Sequence, residues 1–216
     1  MTLEQIKNEF KNLPENYKTK DIDRLNKRLI KQQEDVSCLK DICLEEQLYH
    51  RTYFQVEMGK LKTLEEQYKF IEDNFYLLTD WWHVDQLTQF LHEVDLNFAY
   101  SKAKEYVNHQ HPFARRWGYV MFMPTLVKEK ASVDMIISIL KDDPEYYVVM
   151  AEAWLISYLA IYHPERALEY LSTTTLDYSI IGRAIQKTCD SFRVKDEVKE
   201  IAKSFRNRYK NRKLKL

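Results

Sequence analysis

The sequence predicts an all-α protein made of short helices that follow one another along the chain. Apolar residues recur at steps of three and four through most of the 216 residues, which is the periodicity of a helix with one buried face. The chain has only 3 Gly and 5 Pro, so it offers few of the turns that β-hairpins and β-sandwiches need. Pro14, Pro112 and Pro164 border the periodic segments, where a proline is compatible with helices.

Five helices are expected in the first part of the chain. In the second of them, Ile22, Leu25 and Leu29 form one apolar stripe. Thr63 followed by Glu66 is a capping-box pattern, which marks the start of the fourth helix. The expected helices are Leu3–Leu13, Asp21–Gln33, Gln47–Lys60, Thr63–Leu77 and Trp81–His92.

Seven further helices are expected in the second part. They are Asn97–Asn108, Pro112–Phe122, Ser132–Leu140, Pro144–Tyr162, Pro164–Leu171, Tyr178–Phe192 and Lys195–Arg212. The longest contains Trp154 in a run that is apolar around most of its circumference, as in a buried central helix. Glu152 interrupts this run. We expect its carboxylate to lie on the one side of the helix that faces water. The alternatives are that it faces a cleft or that it pairs with an arginine.

Pairs of these helices recur about every 35–40 residues, which is close to the spacing of HEAT-type repeats. No low-complexity segment or linker divides the chain. We therefore expect a single HEAT-like domain over residues 1–216, wound as a helical-repeat solenoid. Residues 203–216 form either a basic C-terminal tail or the end of the last helix.

The formal net charge is zero, but the charges are unevenly distributed. Seven basic and no acidic residues lie from Lys203 to the end, which leaves 26 basic and 33 acidic side chains in residues 1–202, a net charge of −7. The segment from Ser101 to Lys130 is again mostly basic. Because phosphate attraction scales with the basic groups presented, a nucleic-acid surface is expected only in this segment and at the C-terminal end. A solvated helical face is the alternative.

The remaining composition bears on compartment and chemistry. The chain has an odd number of cysteines, and they are scattered: Cys38, Cys43 and Cys189. This pattern indicates reduced thiols in a cytosolic protein. No apolar run is long enough to cross a bilayer, and no secretory signal precedes the first helix. The sequence also lacks a phosphate-binding glycine loop, a serine nucleophile elbow and a metal-ligand cluster, so we expect no cofactor and no metal.

Two short segments combine residues that could contribute to a site. On a helix, Trp81 and Asp85 lie one turn apart on the same face, where a carboxylate can stabilise a developing cation beside an aromatic wall. A core tryptophan followed by an acid that the helix dipole favours is the alternative. Arg115 and Arg116 follow a helix start and could hold a phosphate, or they could form exposed ion pairs.

Taken together and in this order, the motifs resemble the DNA alkylation repair family of HEAT-like glycosylases, the AlkD-like proteins. The resemblance covers about residues 45–210. Its sharpest part is the run from Ala184 to Val194, which is similar to the family's C-terminal helix and turn. The other matching segments are Trp81–Asp85, Arg115–Arg116 and Ala151–Trp154.

The resemblance implies a solenoid whose concave face binds duplex DNA and an enzyme that hydrolyses the N-glycosidic bond of N3- and N7-alkylated purines. It implies that Asp85 stabilises oxocarbenium-like charge and positions the attacking water. Trp81 and Trp154 would pack against the deoxyribose, and Arg116 would hold a backbone phosphate. Arg115, Arg116, Lys187 and Arg193 would bind DNA. The expected partner is thus duplex DNA with alkylated purines, with no membrane, metal or cofactor, and the expected form is a cytosolic monomer.

Four departures from the family pattern keep an alternative function open, and one of them is the net acidic charge of residues 1–202. Trp82 stands where the family commonly has an acidic residue, and Glu152 lies close to where other members carry a basic one. The N-terminal region is also shorter than in the catalytic members. A non-catalytic relative that binds damaged or branched DNA is therefore the second hypothesis, and a helical-repeat scaffold that binds protein is the third.

Overall fold

The computed structural model describes residues 1–213, apart from the side chains of residues 207, 208 and 210–213. In that part of the chain every regular element is a helix, as the sequence predicts. The contacts divide the chain into two compact units, Met1–Val94 and Asp95–Leu216. The single domain over residues 1–216 stays a prediction.

The first unit is built around one buried helix. Its α-helices are α1 (Leu3–Lys11), α2 (Thr19–Lys31), α3 (Gln47–Lys60), α4 (Leu64–Asp73) and α5 (Trp81–Asp85). Short 3-10 helices occupy Ser37–Ile42, Phe75–Leu77 and Gln86–Gln89. Every residue of α3 from Leu48 to Val56 is buried, and α2 and the segment Ser37–Ile42 pack against it. The predicted capping box of α4 is present, since Thr63 Oγ1 accepts from the Glu66 amide.

The predicted helix Trp81–His92 is wrong in its second half. The α-helix ends at Asp85 and continues as a 3-10 helix to Gln89. The buried Gln67 of α4 explains the break, because its amide nitrogen donates to the Phe90 carbonyl at 2.7 Å and its oxygen accepts from the His92 amide at 2.8 Å. These bonds replace the ones that a longer helix would make within itself.

The second unit is made of seven α-helices among the described residues. They are α6 (Leu96–Tyr106), α7 (Pro112–Val120), α8 (Ser132–Ile139), α9 (Tyr146–Tyr162), α10 (Pro164–Thr173), α11 (Tyr178–Asp190) and α12 (Asp196–Lys213), with a 3-10 helix at Leu126–Lys128. Helix α9 packs between α7 and α11 in one row, whereas α6 packs on α8 and α10 packs on α12. Gly118 permits the close approach of α7 to α6, because a Cβ there would meet the Val107 side chain at 3.0 Å.

The core of the second unit lies between α9 and α11. Val149, Ala153 and Ile156 of α9 pack against a row of apolar side chains of α11. The prediction of a central helix that is buried on most sides is therefore confirmed for α9. Because one side of α9 is left for other contacts, the side chains on that side are candidates for function.

The C-terminal basic segment belongs to the last helix, at least to Lys213. Helix α12 runs over Asp196–Lys213, and residues 214–216 lie outside the described residues. The buried Tyr209 fixes this helix to the α10 region, since its hydroxyl donates to the carbonyl oxygens of Leu171 at 2.7 Å and Thr174 at 3.1 Å. Within residues 1–213, no helix is both long enough and apolar enough to cross a membrane.

Candidate functional site

The short helix α5 carries the candidate Trp81 and Asp85 in the first unit. Asp80 caps it, with its carboxylate accepting from the Trp81 amide at 2.6 Å. The predicted one-turn spacing is present, because α5 spans Trp81–Asp85. The Trp81 side chain is 46% exposed and Asp85 is partly exposed, so both residues are accessible to solvent.

Trp82 and His83 fix α5 to α3. The Trp82 ring meets the His50 ring edge-on at 5.2 Å, and His83 stacks on His50 with ring centroids 3.5 Å apart. Trp82 is half-buried and His83 is buried. These two residues therefore attach the helix to the core of the first unit and leave Trp81 exposed and Asp85 partly exposed.

The two stacked histidines are neutral. His50 bonds the Leu77 carbonyl through Nε2 at 3.1 Å and the Gln86 amide through Nδ1 at 2.9 Å, while His83 Nδ1 accepts from the Thr79 amide at 3.0 Å. Burial lowers the pKa of His50 to about 3 and the pKa of His83 to about 4. The hydrogen bonds fit the uncharged rings, so the pair has a structural role in anchoring α5.

In the second unit, one side of α9 carries a stripe of large side chains at every fourth position. The stripe consists of Tyr146, Met150, Trp154, Tyr158 and Tyr162. Trp154 meets Tyr158 edge-on with ring centroids 5.9 Å apart, and Tyr158 lies 6.3 Å from Tyr162. Tyr146 is 55% exposed, and the other three aromatic rings are partly exposed. Each four-residue step turns the next side chain by about 40° around the helix, so neighbouring members of the stripe lie beside each other while the whole stripe winds around α9.

Cationic side chains of α11 and of the turn after it lie over these rings. The Arg183 guanidinium lies 5.4 Å from the centre of the Tyr146 ring, and the Lys187 ammonium lies 5.9 Å from the Trp154 ring. Arg193 lies over both Tyr158 and Tyr162, at 5.3 and 5.1 Å, and it also bonds the Tyr162 hydroxyl. The cations follow the same order as the rings, so α9 and α11 run in parallel. We call this surface the α9–α11 face; its members are Tyr146, Trp154, Tyr158, Tyr162, Arg183, Lys187 and Arg193.

Glu152 lies away from this face, and the prediction that its carboxylate faces water is wrong. The side chain is fully buried. Its Oε1 accepts from the Lys141 backbone amide at 2.8 Å, and burial raises its pKa to about 8. The acid therefore fastens the segment between α8 and α9, and it is largely uncharged near neutral pH. No stripe position of α9 has an acidic side chain.

Arg115 and Arg116 are held by contacts inside the second unit. Arg115 forms a two-pronged ion pair with the carboxylate of Asp143, at 2.6 and 3.1 Å, and donates to the carbonyl oxygens of His109 and Gln110 at 3.0 Å each. Arg116 is 4% exposed and donates to the Tyr147 carbonyl at 2.7 Å. Both guanidiniums thus hold the chain at the start of α9 in place.

The structure brings together three of the predicted site residues. Trp154, Lys187 and Arg193 all lie on the α9–α11 face. Trp81 and Asp85 share α5 in the first unit, and Arg115 and Arg116 lie on α7.

Sequence reasoning missed four residues of the face, namely Tyr146, Tyr158, Tyr162 and Arg183. A signal for them exists in the sequence, because the aromatic residues recur every fourth position and Arg183 and Lys187 have the same spacing.

A cavity of about 370 Å³ lies beside Tyr162. Its lining includes Lys130 and His163, but also the acidic Asp134 and Glu165. Arg166 at its rim is paired with Asp134 at 2.5 Å, so its charge is already compensated. This mixture of charges does not form an anion site, and we assign the cavity no role.

The three cysteines are free thiols with no sign of reactivity. Cys43 is buried, and burial raises its pKa to about 11; burial also raises the pKa of Cys38 and Cys189. A thiol with a raised pKa is a poor nucleophile because little thiolate is present.

Comparison with models of protein families, with curated proteins and with solved structures gave no match for this chain.

Proposed function

We propose that the chain is a DNA-repair protein that binds damaged DNA through the α9–α11 face and releases alkylated purines by hydrolysis of the N-glycosidic bond. The observation that carries the proposal is the row of rings and cations on α9 and α11. Cations neutralise phosphates, and aromatic faces pack against sugars and bases. Trp154 and Lys187 were expected at such a site from the resemblance to alkylpurine glycosylases.

The packing of the second unit supports a HEAT-like repeat as its architecture. One row is formed by α7, α9 and α11, and a second set of contacts joins α6 to α8 and α10 to α12. Stacked helix pairs with two such rows are what a helical-repeat solenoid consists of, and these proteins use one row for their ligands. The α9–α11 face belongs to the row that α7 begins.

In the proposed reaction, Asp85 provides the electrostatic part of catalysis. The glycosidic bond of a cationic base breaks with positive charge developing on the sugar, and a nearby carboxylate stabilises that charge. Asp85 would also orient the water that attacks the sugar and accept the proton that this water loses, while the cationic base leaves as a neutral purine, with no metal and no covalent intermediate. The exposed indole of Trp81, one turn away, supports this role because it can pack on the deoxyribose.

The test is release of 7-methylguanine and 3-methyladenine from methylated duplex DNA. We expect release by the wild-type protein and loss of release in Asp85→Asn, by about 100-fold or more, because one preorganised electrostatic group contributes at that level. Binding of the variant to the same duplex should be retained. The control is Asp73→Asn on α4, whose side chain is 58% exposed and pairs only with Lys69 among the contacts described. Release by Asp85→Asn at the wild-type rate would show that the carboxylate has no catalytic role.

A second candidate function is DNA binding without catalysis. Trp82 favours it, since an indole that packs against His50 stands where the resembled family commonly has an acidic residue. This function predicts salt-sensitive binding to duplex or branched DNA with no base release from any methylated substrate. Absence of DNA affinity at low salt would exclude both candidates and leave the protein-binding scaffold.

A further inference from the structure

We propose that the α9–α11 face binds a DNA strand whose bases are unpaired, with the bases stacked on its aromatic rings. The inference rests on the proposed function in that both assign DNA binding to this face. It goes further because it names the state of the DNA that the face selects.

Exposed apolar rings occur on the face and next to its members in the sequence. Tyr146 is 55% exposed, its neighbour Tyr147 is 40% exposed, and Phe192, which precedes Arg193, is 93% exposed. Single exposed apolar side chains need no explanation, but here several rings occur together with cations. Moving such a ring from water into contact with a ligand contributes favourably to the free energy of binding.

Each ring of the face has a cation over one of its sides, so a base can stack only on the other side. In a duplex, the faces of the bases are covered by their neighbours, and a protein meets only base edges, sugars and phosphates. Stacking on a tyrosine or tryptophan ring requires a base whose face is free. Rows of aromatic side chains beside basic ones are accordingly typical of surfaces that bind single strands without sequence preference.

The rings and cations of the face are spread along the length of α9. Four residues of helix rise by about 6 Å, so Tyr146 and Tyr162 begin and end a row of about 24 Å. Arg183, Lys187 and Arg193 accompany the row along its length, each over at least one ring. The stripe winds by about 160° around α9 over this length, so a strand that places bases on its rings and phosphates beside its cations has to wind with it.

The charged side chains on and beside the face indicate the kind of ligand. No acidic residue occupies the stripe of α9, and the one acid within that helix is Glu152, which is buried elsewhere in the fold. Acidic side chains flank the face, with Glu145 just before Tyr146 and Asp190 one turn after Lys187, so the positive charge of the face is confined to the three cations that lie over its rings. A polyanion is the ligand that fits this distribution, and a neutral peptide is not.

The experiment measures binding of the full chain to a fluorescent oligothymidine of about 20 nucleotides and to a base-paired duplex of the same length. Fluorescence anisotropy is followed from about 50 to 200 mM salt, the range in which phosphate contacts change affinity strongly. The variants are Tyr146→Ala, on the face, and Phe192→Ala, next to Arg193 in the chain; both side chains are exposed, so both variants should keep the fold. The matched control is Tyr76→Ala in the first unit, because Tyr76 is 56% exposed and also lies under a cation, Lys40, at 5.9 Å.

We expect oligothymidine to bind more tightly than the duplex. Tyr146→Ala and Phe192→Ala should each raise its Kd by about tenfold, since one stacked base contributes at that level. Tyr76→Ala should leave the Kd unchanged. Lys187→Gln should reduce the slope of log Kd against log salt by about 0.7, as expected for one lost phosphate contact on a single strand.

The inference is overturned if the duplex binds as tightly as oligothymidine, or if Tyr146→Ala behaves like Tyr76→Ala. Release of methylpurines from duplex DNA together with either of these results would leave the proposed function intact and remove only the inference. Tight binding of oligothymidine without any base release would support the inference and contradict the glycosylase activity alone.

Discussion

At the scale of single residues, Glu152 shows how burial changes chemistry. Its carboxyl group is enclosed in the second unit and accepts from one backbone amide, with Tyr119 near it. Since burial raises its pKa from 4.5 to about 8, the folded protein keeps a proton there that the unfolded chain loses above pH 4.5. The stabilising effect of this proton is complete below pH 4.5 and disappears as the pH rises through about 8.

We expect Glu152→Gln to gain stability relative to the wild type as the pH rises from 5 to 8. The difference in the free energy of unfolding should change by about 1.4 kcal/mol per pH unit, which corresponds to one proton. Urea melts of both proteins at several pH values measure it. Glu169→Gln serves as the control, because Glu169 is exposed on α10. A constant difference across this pH range would contradict the assigned protonation of Glu152.

The stacked pair of His50 and His83 changes the stability with pH in the direction opposite to Glu152. Both pKa values are lowered in the folded protein. Below about pH 6.5 the two imidazoles therefore become protonated in the unfolded chain but stay neutral in the folded one. Stability from this pair is fully present above pH 6.5 and is lost as the pH falls toward 4. The anchor that holds α5 should therefore weaken in acid.

We expect His83→Asn to make the acid loss of stability less steep. Asn can still accept from the Thr79 amide, but it does not titrate. The slope of unfolding free energy between pH 6 and 5 should fall by about 1.4 kcal/mol per pH unit, one proton of the two. Denaturant melts at these pH values provide the measurement, with His109→Asn, an exposed histidine of the second unit, as the control. An unchanged slope would mean that His83 is charged in the folded state.

At the scale of elements, α7 and α11 use their cations differently. The ion pair of Arg115 with Asp143 has both side chains largely buried, at 14% and 4% exposure, whereas Lys187 and Arg183 of α11 lie over partly exposed rings. A buried charge that loses its partner destabilises the fold strongly, while an accessible cation has little effect on stability. Helix α7 is thus expected to hold the fold, and α11 to contact the ligand.

We expect Arg115→Gln and Lys187→Gln to separate these two roles. Arg115→Gln should lower the free energy of unfolding by about 3 kcal/mol and leave the DNA affinity of the folded protein unchanged. Lys187→Gln should change stability by less than about 0.5 kcal/mol and weaken DNA binding. Melts and anisotropy titrations on both proteins give the comparison. The reverse pattern would make Arg115 a DNA-binding residue, as the resemblance implies.

At the scale of the whole molecule, the two pH effects belong to different units. The histidine pair lies within Met1–Val94 and Glu152 lies within the second unit. Together these groups give a stability that rises as the pH increases to about 6.5 and then declines toward pH 8. Burial also lowers the pKa of His111 in the second unit, which adds a contribution there with the same sign as that of the histidine pair, so Glu152 alone distinguishes the second unit on the alkaline side.

Hydrogen–deuterium exchange should resolve the two units. We expect amide protection factors in residues 1–94 to fall first as the pH is lowered from 6.5 to 4.5, and those in residues 95–213 to fall first as it is raised to 8. His83→Asn should remove much of the acid effect in the first unit, and Glu152→Gln should remove the effect in the second. Protection that changes equally in both units under acid and alkali would contradict this assignment.

The sequence alone determined the helical class and the position of nearly every helix. The apolar period and the scarcity of glycine depend only on local order, so the bounds of α3 and the start of α9 could be predicted to within two residues. The helix Trp81–His92 could not be predicted fully, because Gln67 of another helix decides where it ends. The position of Trp81 and Asp85 one turn apart could likewise be predicted, because it depends only on the local helix.

What only the tertiary structure decided is which side chains meet. Nothing in the order of residues places Arg183 over Tyr146 or Lys187 over Trp154, since those contacts depend on how α11 packs against α9. The same packing buried Glu152 and engaged Arg115 with Asp143, and the sequence had allowed both residues to face water. Burial and charge pairing depend on neighbours that are distant in the chain, and the local periodicity of a helix does not specify those neighbours.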